Sequence, residues 1–193
     1  MPSTPPVALL LAAGAGRRLG LGPKALLPYR GRPLIEHALA VLRAGGCKRI
    51  VVVLGAGVEE VLATAELGDC GVVRNADWAS GMGSSLRAGL SALPADAPSA
   101  LVALVDTPGL TPAAVARLLA SEGLAAAAYG GMRGHPVLIP ARYWAEAAEG
   151  AVGDAGARAL FAARAGEVLL VECGDVALGD DVDTIDQWER WRG

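Results

Sequence analysis

Cysteine is scarce here, and so are basic excess, long apolar runs and polar linkers; each shortage closes off a class of protein. Cys47, Cys70 and Cys173 are odd in number, widely spaced and without a C-x-x-C pair. Neither a disulfide framework nor a structural zinc site is expected, and the thiols read as reduced and buried. Seventeen Lys and Arg stand against 20 Asp and Glu, a net charge of −3, which lacks the strongly basic face of a nucleic-acid binder. No apolar run approaches membrane-spanning length although 53% of the residues are hydrophobic, and the leader Met1-Pro-Ser-Thr-Pro-Pro6 has no basic side chain. No membrane partner and a cytoplasmic location are therefore expected. Internal repeats and low-complexity tails are also missing, and only residues 1–6 read as disordered. A chain of 193 residues buries one good core, so a single domain over 1–193 is expected.

What is present is an alternation of strand and helix signals. Val7–Ala13 is a buried strand, and Pro33–Arg43 repeats apolar residues at helical spacing with proline at its start and Gly45-Gly46 at its end. A Val-rich strand at 50–54, a helix at 58–66 and a short strand at 71–74 follow. Then come a helix from Ser84 to Leu93, a strand at 100–105 and a helix from Pro112 to Glu122 capped by Thr111. Beyond residue 125 the pattern loosens into apolar pieces at 125–129 and 136–140, helical pieces at 141–149 and 154–164, a strand at 167–172 and a last helix from Asp183. The fold class this predicts is α/β with a mostly parallel central sheet.

The first strand runs into Gly14-Ala-Gly16-Arg17-Arg18-Leu-Gly20, with Lys24 close behind. Glycines that let an anion reach backbone N–H groups, flanked by three cations, suit a polyphosphate. A dinucleotide fingerprint needs G-x-G-x-x-G, but here the third glycine falls one residue late, at Gly20. The strand at 50–54 also ends in Gly55-Ala56-Gly57, without the acid that binds an adenosine ribose. A P-loop is excluded because Lys24 sits between Pro23 and Ala25. Gly22-Pro23 would interrupt a helix begun at Gly16, so the loop is expected to stay extended to about Lys24.

Asp106 directly follows the strand at 100–105, which puts its carboxylate at the sheet edge where open α/β folds bind ligands. A carboxylate beside phosphate calls for a divalent cation, and Mg²⁺ binds through one or two carboxylates plus substrate phosphates. Asp106 is thus the predicted metal ligand. Asp183 either joins it or caps the last helix. Asn75-Ala-Asp-Trp-Ala-Ser-Gly81-Met-Gly83-Ser84-Ser85-Leu-Arg87 follows a strand and opens a helix, and the hydroxyl of Ser84 or Ser85 with the free N–H groups there suits the polar edge of a nucleobase or simple capping. His37 reads as structural, and Trp188 and Trp191, three apart, as a packing stripe.

With these residues in hand, the chain resembles the MobA-like nucleotidyltransferase family, nearest to molybdenum cofactor cytidylyltransferases. The resemblance spans nearly the full length. Its carriers are Leu11–Gly20 with Lys24 and Leu26–Leu34, Gly81–Leu86, Asp106-Thr-Pro108, Arg133-Gly-His-Pro-Val137, Gly153–Arg158 and Asp183-Thr-Ile-Asp186. It implies a Rossmann-like three-layer nucleotidyltransferase fold, with residues 1–122 as the nucleotide-binding half and 123–193 as the acceptor-binding half. Leu11, Ala12, Ala13, Gly14, Ala15, Gly16 and Arg17 would wrap the nucleotide, and Gly83, Ser84 and Ser85 would help hold the base. Arg18, Lys24 and Asp106 would be catalytic, with Mg²⁺ on Asp106. Arg133, His135, Asp154 and Arg158 would line the acceptor side. Leu-Ala-Ala-Gly at 11–14 resembles the cytidine-using branch, so the implied reaction transfers CMP from CTP to a phosphorylated acceptor such as molybdopterin. Two alternatives stand beside it: another nucleotidyltransferase, including one using GTP, and an NAD(P)H-dependent reductase of the nicotine blue oxidoreductase type on the same scaffold.

Overall fold

The first strand, β1 (Val7–Ala12), is buried along all six residues, as a strand covered on both faces must be. Its side chains alternate. Val7, Leu9 and Leu11 point into one apolar cluster with Leu86, Leu90 and Phe161, while Ala8, Leu10 and Ala12 point into another with Ile35, Leu39 and Leu118. The computed structural model describes residues 4–191. Residues 1–3 of the leader expected to be disordered lie outside the described residues, and Thr4–Pro6 run irregularly into β1.

After β1 come a small antiparallel pair, β2 (Pro28–Tyr29) and β3 (Arg32–Pro33), then α1 (Leu34–Ala44), β4 (Ile50–Leu54), α2 (Val58–Thr64), β5 (Gly71–Arg74) and α3 (Met82–Ser91). The chain continues through β6 (Ser99–Leu104), α4 (Pro112–Leu119), β7 (Ala125–Tyr129), β8 (Met132–Pro140), α5 (Trp144–Gly150), α6 (Arg158–Ala163), β9 (Leu169–Glu172) and α7 (Ile185–Trp191). Seven strands form one sheet in the order β5-β4-β1-β6-β8-β7-β9. Only β8 runs against the others. Residues of α1, α2, α4 and α7 share the cluster on one face, and those of α3, α5 and α6 the cluster on the other. This is the three-layer α/β arrangement expected.

The differences from expectation lie at ends. Pro33 ends β3 and precedes α1 rather than forming its first turn. Thr111 does cap α4, its Oγ1 accepting from Ala114 N at 3.3 Å, but the helix stops at Leu119. β8 starts four residues earlier than its apolar run, because Met132 and Arg133 are carried into the ladder by hairpin pairing with Tyr129 and Ala128.

Two features place the site. β1 lies between β4 and β6, a topological switch point where a crevice opens at the strands' C-terminal ends. Leu11 pairs with Leu104 across it, so the loop after β1 and the residues after β6 emerge side by side. The approach to α7 then docks there, Val182 N donating to Asp106 O at 2.9 Å. Trp188 anchors that helix, 1% exposed with its ring 6.2 Å from that of Tyr29, and Trp191 packs at the margin. Trp188→Ala should cost about 3–5 kcal/mol of stability, measured as a lower urea midpoint.

Candidate active site

The loop after β1 makes no helix; its first regular element is a 3₁₀ turn at Lys24–Leu26. It folds back on itself, with Lys24 N donating to Gly14 O at 3.1 Å and Leu19 N and Gly20 N to Gly16 O. Gly16 has φ +62°, and a Cβ there would collide with Gly22 O. Gly14 is different: its φ is not positive and a Cβ would meet only Lys24 Cδ, at 3.8 Å. The freedom expected of both glycines is used at Gly16 alone. Leu11 and Ala12 belong to β1, Ala13 O accepts from Ala56 N at 3.1 Å, and Gly14 is exposed and Ala15 half-buried. The Arg17 guanidinium lies 5.6 Å from the centre of the Trp78 ring. Trp78 lies within the candidate segment 75–87 with no role of its own read from the sequence, and its indole packs on Gly55, where a Cβ would strike it.

Lys24 holds the centre. Its Nζ donates to Asp106 Oδ2 and to Asp183 Oδ1, both at 2.6 Å, and its side chain is only 13% exposed. Arg18 reaches Asp183 Oδ2 at 3.3 Å from a side chain that is 76% exposed, so that contact adds little energy. Burial works against the charge on Lys24, yet Asp106 and Asp183 outweigh it and hold the ammonium above its ordinary range. Burial likewise pushes the Asp106 carboxyl upward against the pull of Lys24, with Asp181 and Asp183 adding to the rise. Asp183 moves the other way, held low by its hydrogen bond from Lys24.

Asp183 does not cap α7. Thr184 does, its Oγ1 accepting from Gln187 N at 3.3 Å while Gln187 Oε1 accepts from Thr184 N at 2.9 Å, a capping box. The Asp183 side chain is thereby left to the crevice. Two carboxylate oxygens converging on one point make a hard-oxygen seat for a cation such as Mg²⁺ or Mn²⁺. Among the described residues no group of three or more His, Cys, Asp or Glu converges on such a point. A divalent ion here would complete its shell with phosphate and water oxygens.

Ser84 and Ser85 do not present hydroxyls to a ligand. Both are 4% exposed and turned onto Asn75, whose Nδ2 donates to Ser84 Oγ at 2.8 Å and Ser85 Oγ at 3.0 Å. Gly83 also serves packing, because a Cβ would collide with Ala151 O. Arg87 donates to that same carbonyl. The start of α3 is therefore an internally satisfied corner, organised by Asn75, the first residue of that candidate segment, for which the sequence offers no separate role. Asn75→Ala would strip the buried Ser85 hydroxyl of its partner, while Ser84 keeps Asp77 O and Gly81 O at 2.9 Å, and should destabilise by about 1–3 kcal/mol, read by thermal denaturation.

The four acceptor-side residues come from two stretches of chain, β8 and the approach to α6. Asp154 sits beside α3, its Oδ1 3.4 Å from Met82 N, and Arg158 starts α6 with an exposed side chain. Arg133 lies 5.0 Å from the centre of the Phe161 ring and borders an open groove of about 410 Å³, with Tyr129, Met132, Leu178 and Asp180. His135 is half-buried next to it, its carbonyl accepting from Tyr129 OH at 2.7 Å. His37 is structural as expected, its Nε2 3.3 Å from Pro108 O and its ring edge-on to Tyr29. Burial pushes the His135 ring down to about 4, Arg133 acting the same way and Asp181 against it. The unfolded ring titrates near 6.5, so between these values the unfolded chain binds the extra proton. This contribution to stability is full above about pH 6.5 and is lost as pH falls toward 4. Melting temperature should therefore drop less between pH 7 and pH 5 in His135→Asn than in the parent.

The geometry meets its relatives at this point. The model of the MobA-like NTP transferase domain family matches residues 8–168. The chain belongs to that family. As a MobA-like NTP transferase it is an enzyme on a nucleotidyltransferase fold. Nicotine blue oxidoreductase of Paenarthrobacter nicotinovorans is 47% identical over 192 residues, 94% of each chain. The crystal structure of Rv0371c from Mycobacterium tuberculosis H37Rv superposes with a TM-score of 0.82 and 31% identity over 97% of both chains. The Rv0371C complex with manganese gives 0.80 and 29% identity over 98% of both. No helix among the described residues is long and apolar enough to cross a membrane.

Proposed function

We propose that this MobA-like enzyme transfers a nucleoside monophosphate, with CTP favoured as donor, to a phosphorylated acceptor of the molybdopterin type and releases pyrophosphate. The observation that carries the reading is the meeting of Lys24 with Asp106 at 2.6 Å: the cationic glycine loop and the acid at the end of β6 flank one crevice. An acceptor phosphate oxygen attacks the α-phosphorus in line, so positioning and charge neutralisation do the catalytic work. Residues 11–17 cradle the nucleotide phosphates, and Lys24 and Arg18 stabilise the charge that develops on them. Asp106 and Asp183 would hold a divalent cation, Mg²⁺ or Mn²⁺, which would supply charge neutralisation for the phosphates. A manganese complex of a relative that is 29% identical supports that assignment.

In this reading residues 1–122 bind the nucleotide, and the groove beside Arg133 and His135 takes the body of the acceptor. Asp183 belongs to the nucleotide side despite its place in the chain. Asp154 and Arg158 approach the acceptor from the α3 corner. The attacking phosphate is ionised at neutral pH, so a neutral His135 is no obstacle. The reading carries a cytoplasmic location with it, where nucleoside triphosphates are kept.

One observation favours a second reading: a relative 47% identical over 192 residues is named for a redox activity. Against it stand the displaced third glycine and a loop that reaches a 3₁₀ turn at Lys24 instead of a helix at Gly16. Calorimetry with CTP, GTP, ATP and NADPH, each with and without Mg²⁺, separates the two. Magnesium-dependent selection of CTP is expected, and tight metal-independent NADPH binding would favour the reductase. Asp106→Asn should keep the fold and lower pyrophosphate release by at least about 100-fold; release near the parental rate would remove Asp106 from the reaction.

A further inference from the structure

The chain contains two lysines, Lys24 and Lys48, and they occupy opposite situations. Lys48 is exposed. Lys24 is wedged between two carboxylate oxygens, each 2.6 Å from its Nζ. These are the oxygens that a divalent cation would use, and two cations cannot share a point between them. We propose that Lys24 is a tethered cation that keeps the metal seat filled in the nucleotide-free protein, so that metal and triphosphate enter together. The inference rests on the transferase reading for its metal.

Two physical facts make the exchange workable. An ammonium expelled from a partly buried seat needs a new anion, because an unpaired charge in such a place is costly. The backbone N–H of Lys24 is bound to Gly14 O at 3.1 Å, so its base is fixed to the loop that holds phosphate in this reading. A side chain with four rotatable bonds can leave the carboxylates and land on a phosphate while the main chain stays in place. Asp106 and Asp183 then face the incoming metal with full negative charge. Without the triphosphate, a metal ion must displace Lys24 with no compensating partner. Metal and nucleotide therefore strengthen each other's binding, by reciprocal linkage.

Two measurements test this on the intact protein. Mn²⁺ alone, followed by electron paramagnetic resonance, should bind Lys24→Gln about tenfold or more tightly than the parent, within the usual span of coupling between sites. In the parent, an amine-reactive probe should label Lys24 far more slowly than Lys48, and saturating Mg²⁺ should raise Lys24 labelling several-fold while leaving Lys48 unchanged. If Lys24→Gln fails to fold, the labelling experiment decides alone. Equal Mn²⁺ affinity in the parent and Lys24→Gln, lost in Asp106→Asn, overturns the inference and leaves the metal site standing. Failure of Mn²⁺ to bind either protein overturns both. Lys24 labelling that ignores Mg²⁺ in a protein shown to bind the ion also overturns it.

Discussion

One ammonium shared by two carboxylates organises the functional end of this molecule. Lys24 comes from the loop after β1, Asp106 from the turn after β6, and Asp183 from the approach to α7. Each of the three segments leaves regular structure beside the crevice and would be free to drift if nothing met it. The ion pairs are part-buried, so breaking one partner strands a charge in poor solvent, and the arrangement resists loosening for the same reason that it was costly to assemble. Everything read about chemistry depends on these three side chains facing one another.

The scaffold supplies that encounter through backbone bonds, and the side chains merely complete it. The Leu11–Leu104 register sets the two strand ends level, and the bonds Val105 N to Leu11 O and Val182 N to Asp106 O stitch the turns together. Trp188, sunk in the core, holds α7 against this edge. Thr184 and Gln187 satisfy the helix start between themselves. With capping delegated to its neighbours, Asp183 can be spent on the crevice.

Most of the fold was legible because β1, β4 and β6 are continuous apolar runs and the helices keep their period. The apolar stripe of α1 and the Thr111 cap of α4 were readable for the same reason. Interior contacts between distant segments were not. Nothing near Ser84 or Ser85 announces that Asn75 will turn both hydroxyls inward, because the pairing depends on how β5 hands the chain to α3. The extension of β8 through Met132 was hidden as well: Arg-Gly-His-Pro has no strand character until Tyr129 pairs with it. At the site, Asp106 could be named from its place at a strand end, and Lys24 from the charge it adds to the glycine loop and from the family resemblance. Asp183 stayed ambiguous between cap and ligand, although Thr184-Ile-Asp-Gln187 carries the local T-x-x-Q signature of the capping box that frees it.

Lys24 and Asp183 lie 159 residues apart, and that separation has a consequence for the protein's birth. A nascent chain can complete its glycine loop and much of its sheet while α7 is still unmade. During synthesis such a chain holds the glycine loop and Asp106 but not yet Asp183. The three side chains can meet only after α7 has been made and its approach docks beside Asp106. The same order run backwards means that undocking of α7 and its approach parts Asp183 from Lys24 while the sheet is still whole.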